Sequence, residues 1–198
     1  MFCLAEEYEI PFVVIDGLDA CGKTTQAHRL ADYLQSQGKS VCLRVHPSDD
    51  NLLGNYAKRF LQAEGRNAHF ASALFYMLDV MHSILKYSWR ARNYTIFVRY
   101  LLGTAYLPAP ADIFAYHFFA AIVPKPEKTV YIDLEPDLAA KRIRNRAQTH
   151  EMFEKPEALR KMRQKGLALA SLGKWQIILG NKELAEVESD IHRVIDLE

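Results

Sequence analysis

The 198 residues, 49% hydrophobic and 25% charged, have the length and composition of one soluble domain with a sizeable core. A net charge of +1 excludes a global pull toward nucleic acid or membrane, so any anion recognition must be local. Three widely spaced cysteines (Cys3, Cys21, Cys42), an acidic opening MFCLAEEYEI and the lack of a bilayer-length apolar run argue against a disulfide framework, a zinc site, a signal peptide and a membrane span, and predict a cytoplasmic protein. The first predicted element is the strand FVVID (12–16), apolar and β-branched as a buried parallel strand must be. GLDACGKTT (17–25) follows it. Gly17, then four residues, then Gly22, Lys23 and Thr24 form the pattern G-x-x-x-x-G-K-[ST]. Glycines let the backbone turn sharply and approach an anion. The loop N–H groups then line a concavity for phosphate oxygens, and the helix behind adds its positive end. This predicts ATP binding by Gly17, Leu18, Asp19, Ala20, Cys21, Gly22, Lys23, Thr24 and Thr25, with Lys23 reaching the β- and γ-phosphates and Thr24 ligating Mg²⁺. Cys21 has two readings: a thiol with lowered pKa at a helix N-terminus, or a small side chain filling the loop.

TTQAHRLADYLQSQG (24–38) is the helix the loop requires, with Ala27, Leu30, Ala31 and Leu34 at helical spacing and Gly38 as its stop. SVCLRVH (40–46) reads as the second strand. HFASALFYMLDVMHSILKYSWR (69–90) reads as a helix apolar nearly all round, more than one core-facing stripe needs, which points to a homodimer burying part of ALFYMLDVMHSIL. YTIFVRY and KTVYIDLE are the third and fourth strands. The helices LAAKRIRNRA and PEALRKMRQKGLALASL come next, then the strand KWQIILG and a terminal helix ELAEVESDIHRVIDL. Alternating strands and helices predict an α/β fold of the P-loop NTPase type: a five-stranded parallel sheet with helices on both faces, as a single domain over 1–198. Ligands in such sheets bind at the carboxyl ends of the strands. The segments to search are therefore Gly17 to Thr25, Arg44 to Asp50, Arg99 to Leu107, and Glu135 onward. Arg99, at the end of the third strand, is placed to clamp a phosphate. Arg142 and Arg146 lie four apart on one helix face, and Lys141, Arg142, Arg144 and Arg146 crowd into six residues. Phosphoryl transfer spreads charge over the γ-oxygens, so these cations predict an arginine-rich lid at about 142–156.

VVIDGLDACGKTTQAHRLADYL, FVRYLLGTAY, VYIDLEPDLAAKRIRNR and EMFE, in that order, resemble the thymidylate kinase family of P-loop nucleoside monophosphate kinases. The resemblance implies transfer of the γ-phosphate of ATP to dTMP with Mg²⁺ and a homodimer, while the charge balance and the lack of an apolar span predict no nucleic-acid or membrane partner. It implies catalytic roles for Lys23, Arg99, Arg142 and Arg146. Asp19 would face the acceptor's sugar, Arg99 would grip its phosphate, Arg44 would lie near the acceptor, and Phe70 would stack on its base. Asp16 stands where relatives carry a glutamate near the metal; its other reading is a structural acceptor for loop N–H groups. Ala20 holds a slot where some members have an arginine, which puts the demand for charge on the lid.

The chain also departs from the family pattern. Val98 replaces the aspartate before Arg99, Val80 replaces an arginine that reaches the base, Met152 stands in the lid for an arginine, and Gly166 stands for a tyrosine. ATP binding is therefore expected to be intact and acceptor recognition altered, with dTMP a poor substrate. Three readings follow: a dTMP kinase, a P-loop kinase for a different small acceptor, and an ATP-binding protein without transferase activity.

Overall fold

The computed structural model of the chain describes residues 11–63, 66–87, 94–145 and 156–196. Strands β1 (Phe12–Gly17), β2 (Val41–Val45), β3 (Tyr94–Val98), β4 (Lys128–Asp133) and β5 (Gln176–Leu179) form one five-stranded sheet in the order β2-β3-β1-β4-β5. Every pairing is parallel. Between the strands lie α1 (Lys23–Ser36), α2 (Leu52–Leu61), α3 (Arg66–Tyr87), a 3₁₀ helix (Leu101–Tyr106), α4 (Ala111–Ile122), α5 (Pro136–Arg144) and α6 (Pro156–Leu172), and α7 (Leu184–Val194) closes the order.

Strand side chains alternate between two faces, and both faces are covered. Val13, Ile15, Ile96, Val98, Val130 and Ile132 pack against α1, α5 and α7. Val14, Phe97 and Tyr131 pack against α3, the 3₁₀ helix and α6. Double coverage is why the three inner strands, β1, β3 and β4, read as continuous apolar runs. The helical spacing in α1 has the same cause: Ala27, Leu30, Ala31 and Leu34 are its buried face, and a fully buried leucine contributes about 1.5–3 kcal/mol. No described helix is long and apolar enough to cross a membrane.

The chain leaves central β1 for the β2 edge, returns to β3, then crosses to β4 on the other side of β1. That reversal opens a crevice over the carboxyl ends of the strands, where ligands of such sheets bind. Three elements were not anticipated from the sequence: α2, the 3₁₀ helix and α4. The start of α2 is fixed by Asn51, whose side chain accepts from the Gly54 N–H at 2.9 Å, an N-cap contact typically worth about 1 kcal/mol.

Candidate active site

The loop after β1 is shaped by close approach. A Cβ on Gly17 (φ 155°) would stand 2.4 Å from the Ile132 carbonyl oxygen and 2.7 Å from Cys21 Sγ, so no side chain fits. Gly22 takes φ 99° and Ala20 φ 60°, the latter a left-handed conformation that costs a non-glycine residue about 1 kcal/mol or more. Gly22 offers the start of α1 no side-chain cap, which leaves the first N–H groups of the helix for an anion to satisfy. Cys21 is buried, and burial pushes its thiol up from the ordinary range. The activated-thiol reading is therefore corrected: the sulfur fills the loop against Gly17.

Arg99 follows β3 in a left-handed conformation, φ 63°. Its N–H donates to the Ile15 carbonyl at 3.0 Å, and its own carbonyl lies 3.2 Å from His46 Nδ1. These contacts hold the strained backbone, as active-site strain requires. The guanidinium donates to the His46 carbonyl at 3.2 Å and to the Asp19 carboxylate. Lys23, buried, curls back to donate to the Leu18 carbonyl at 3.0 Å and to Asp19 Oδ1 at 3.2 Å. Tyr106 from the 3₁₀ helix donates to Asp19 Oδ2 at 3.4 Å. Burial opposes ionisation of Asp19, but the charges and hydrogen bonds of Arg99 and Lys23 outweigh it and hold the carboxyl well below the usual range. His46, behind Arg99, is lowered to about 4, burial being the main cause, and is neutral at pH 7.

Asp16 ends β1 with Oδ1 accepting from the Gly17 N–H at 2.8 Å and Oδ2 from the Tyr100 N–H at 3.2 Å. Burial raises its pKa, and the Lys23 charge offsets part of the rise. Its structural reading is thus met, while each oxygen keeps a second lone pair. Thr24 and Thr25 are exposed at the start of α1. Mg²⁺ takes few protein oxygens and keeps most of its water and phosphate ligands. The open Thr24 hydroxyl and the Asp16 carboxylate fit that demand.

Other predicted residues have protein partners. Arg44 stands near the end of β2 and does not line the small cavity described below. Asp50 holds it in a two-pronged ion pair at 2.8 and 2.9 Å, and its guanidinium lies 4.6 Å over the Tyr87 ring. Phe70 is 44% exposed, on the α3 face that further along buries Ala73 and Met77. Tyr76 of α3 lies against the cleft lining: its ring stands where a Cβ on Gly103 would fall, and its hydroxyl donates to the Tyr100 carbonyl at 2.9 Å. Arg142 reaches the carbonyls of Ala20 at 3.3 Å and Gly180 at 3.1 Å, bracing the phosphate loop against the turn after β5. Arg146, Met152 and the lid from 146 to 155 lie outside the described residues. Val98 and Val80 are fully buried on opposite faces of the sheet and reach no polar group of the site.

The crevice over the sheet narrows to a cavity of about 30 Å³, lined by Asp16, Asp19, Arg99, Tyr106, Met162 and Gly166 among others. Tyr106 and the α6 residues that shape it were missed in the sequence. Lys165 also went unnoticed: it bonds the Leu107 carbonyl at 2.5 Å and pairs with the buried Asp112 at 2.9 Å, fixing the segment that carries Tyr106. The lysine is polar within a helix and nothing in its spacing marks it.

Comparison with known proteins finds a family in sequence and the same fold in structure. The family model for thymidylate kinase matches residues 15–191. A probable thymidylate kinase of Metallosphaera sedula is 29% identical over 89% of this chain and 88% of its own, and one of Archaeoglobus fulgidus is 26% identical over 93% and 94%. The structure of thymidylate kinase from Candida albicans superposes with a TM-score of 0.73 at 18% identity, over 94% of this chain and 91% of that one. That from Ehrlichia chaffeensis gives 0.68 at 20% identity, over 94% and 98%. These two structures share the fold. With the loop, the Arg99 turn and the sheet order in place, and a family match running from β1 to α7, the chain belongs to the thymidylate kinase family.

Proposed function

We propose that the chain transfers the γ-phosphate of ATP to a nucleoside monophosphate, with dTMP the first candidate, as one kinase domain whose lid spans about 142–156. The observation that carries this is the convergence of two cations, Lys23 and Arg99, on one carboxylate, Asp19, where β1 and β3 end. In this reading Lys23 and the amides of residues 17–25 hold the donor phosphates, and Arg99 takes the acceptor phosphate. An acceptor phosphate oxygen attacks the γ-phosphorus as its bond to the β–γ bridging oxygen breaks, so ADP leaves and the acceptor becomes a diphosphate. Asp19 releases both cations to the phosphates and turns to the acceptor's sugar. Mg²⁺, held by Thr24 with Asp16 as the neighbouring acid, would neutralise charge on the β- and γ-oxygens. Arg142 keeps the loop in shape from α5.

The test is an ATP-consumption screen over nucleoside monophosphates with Mg²⁺. dTMP-dependent ADP release is expected, at a kcat/KM below about 10⁴ M⁻¹s⁻¹, because positions 80, 98 and 166 bring no polar side chain to the acceptor. A second reading, a different small acceptor, is favoured by the same three positions. A higher kcat/KM with another monophosphate supports it. Tight ATP binding with no turnover supports a non-catalytic protein instead.

The protein is also proposed to be a cytoplasmic homodimer. Phe70, Leu74, Leu78 and Leu85 on α3, and Ile113, Phe114, Phe118 and Ile122 on α4, are all at least 36% exposed. Apolar faces of that extent mark interaction surfaces. Sedimentation at micromolar concentration is expected to show a species of twice the 22.7 kDa chain mass. A species of 22.7 kDa alone contradicts the dimer.

A further inference from the structure

Tyr131 lies on β4, in register with Asp16 of β1, and is only 2% exposed. Its ring belongs to the core under the 3₁₀ helix and α6. Its outer end lines the same cavity as Asp16, Asp19 and Arg99. Among the described residues the hydroxyl has no hydrogen-bond partner. The hydroxyl opens on the cavity, so a ligand or an ordered water can take its hydrogen bond.

The opposite wall is built to leave this hydroxyl room. A Cβ on Gly166 of α6 would stand 2.5 Å from the Tyr131 oxygen. Position 166 therefore carries no side chain into the cleft, and the phenol from the sheet occupies that space. Burial, and then the charge of Asp16, raise the Tyr131 pKa well above its ordinary value. The group stays protonated and can donate. The cleft already holds two carboxylates as acceptors. Its donors are the Arg99 guanidinium and the hydroxyls of Tyr106 and Tyr131, a set that suits an anionic oxygen cluster better than a base or a sugar hydroxyl.

We propose that the Tyr131 hydroxyl binds the phosphate of the acceptor nucleotide, donating a hydrogen bond to one of its oxygens beside Arg99. This rests on the reading of the cleft as the site of a nucleoside monophosphate. Tyr131→Phe removes one oxygen and keeps the packing of the ring, so the variant folds. Calorimetry on both proteins compares dTMP, thymidine (which lacks the phosphate) and ADP with Mg²⁺. The expected result is dTMP binding about tenfold weaker or more in the variant, with thymidine and ADP unchanged. In turnover, KM for the monophosphate rises while KM for ATP stays. Equal dTMP affinity in the two proteins overturns the proposal and leaves the kinase reading standing. Equal losses for thymidine and dTMP also overturn it, because the hydroxyl then acts on the nucleoside and not on its phosphate. Failure of the unaltered protein to bind any monophosphate while it binds ADP overturns the acceptor reading and this proposal together.

Discussion

Lys23→Ala is expected to lower kcat/KM for ATP at least about a hundredfold, the usual effect of removing one donor aimed at transition-state charge. The ammonium sits at the start of α1, beside the loop amides, and is buried on one side by the loop itself. No other described cation lies inside the loop, so nothing replaces it on the β- and γ-phosphates. The fold should survive, because Asp19 keeps its ion pair with Arg99. Calorimetry with ATP and Mg²⁺, alongside a melting curve, checks both halves. Unchanged ATP affinity in a folded Lys23→Ala protein contradicts the assignment.

Restoring the family's side chains at positions 98 and 80 is expected to unfold the protein before it restores anything. Val98 is fully buried in the cluster with Ile15 and Ile96, under α1. An aspartate there would meet apolar walls and the neighbouring Asp16, whose pKa is already raised by burial. Burying a carboxyl without a partner costs at least about 3 kcal/mol, a large part of a typical stability of about 5–15 kcal/mol. Val80 is fully buried against Val14 and Phe97, and an arginine there overpacks the cluster at a further cost of about 1–3 kcal/mol. Urea unfolding followed by circular dichroism measures it. A Val98→Asp variant with the midpoint of the unaltered protein would mean that water reaches this position. The aspartate's absence is thus built into the core as well as the site: in this chain Arg99 is organised by Asp19 and the His46 carbonyl.

Much of the fold was legible. The five strands were legible because each is a short apolar run between polar turns, and the inner three, β1, β3 and β4, are buried on both faces. The loop was found because glycine spacing and lysine are a local code that needs no tertiary information. α4 was missed for a physical reason: ADIFAYHFFAAI is apolar on every side, so no helical period shows, and half of that surface is exposed in the single chain. In the site, residues next to the strand ends were legible and those defined by rotamer or partner were not. Arg44 stands at the end of β2 as its position in the sequence indicates, but its pairing with Asp50 is a partner choice that strand alternation does not encode. Tyr131 was read only as strand filling, since alternation says which face a side chain takes and nothing about where its far end stops.

Asp19 has a consequence for which anions the site admits. It serves as counter-ion to Lys23 and Arg99 at once, so an incoming ligand must exchange with it. A singly charged anion brings no more charge than the carboxylate it would displace, and it loses its hydration to do so. A phosphate group with two charges, or two phosphate groups arriving on separate nucleotides, can satisfy both cations and leave Asp19 free to accept hydroxyl donors. The shared carboxylate is therefore a filter on anion valence. Chloride and other monovalent salts should compete weakly at this site, and the barrier to nucleotide entry is the breaking of two ion pairs that share one partner.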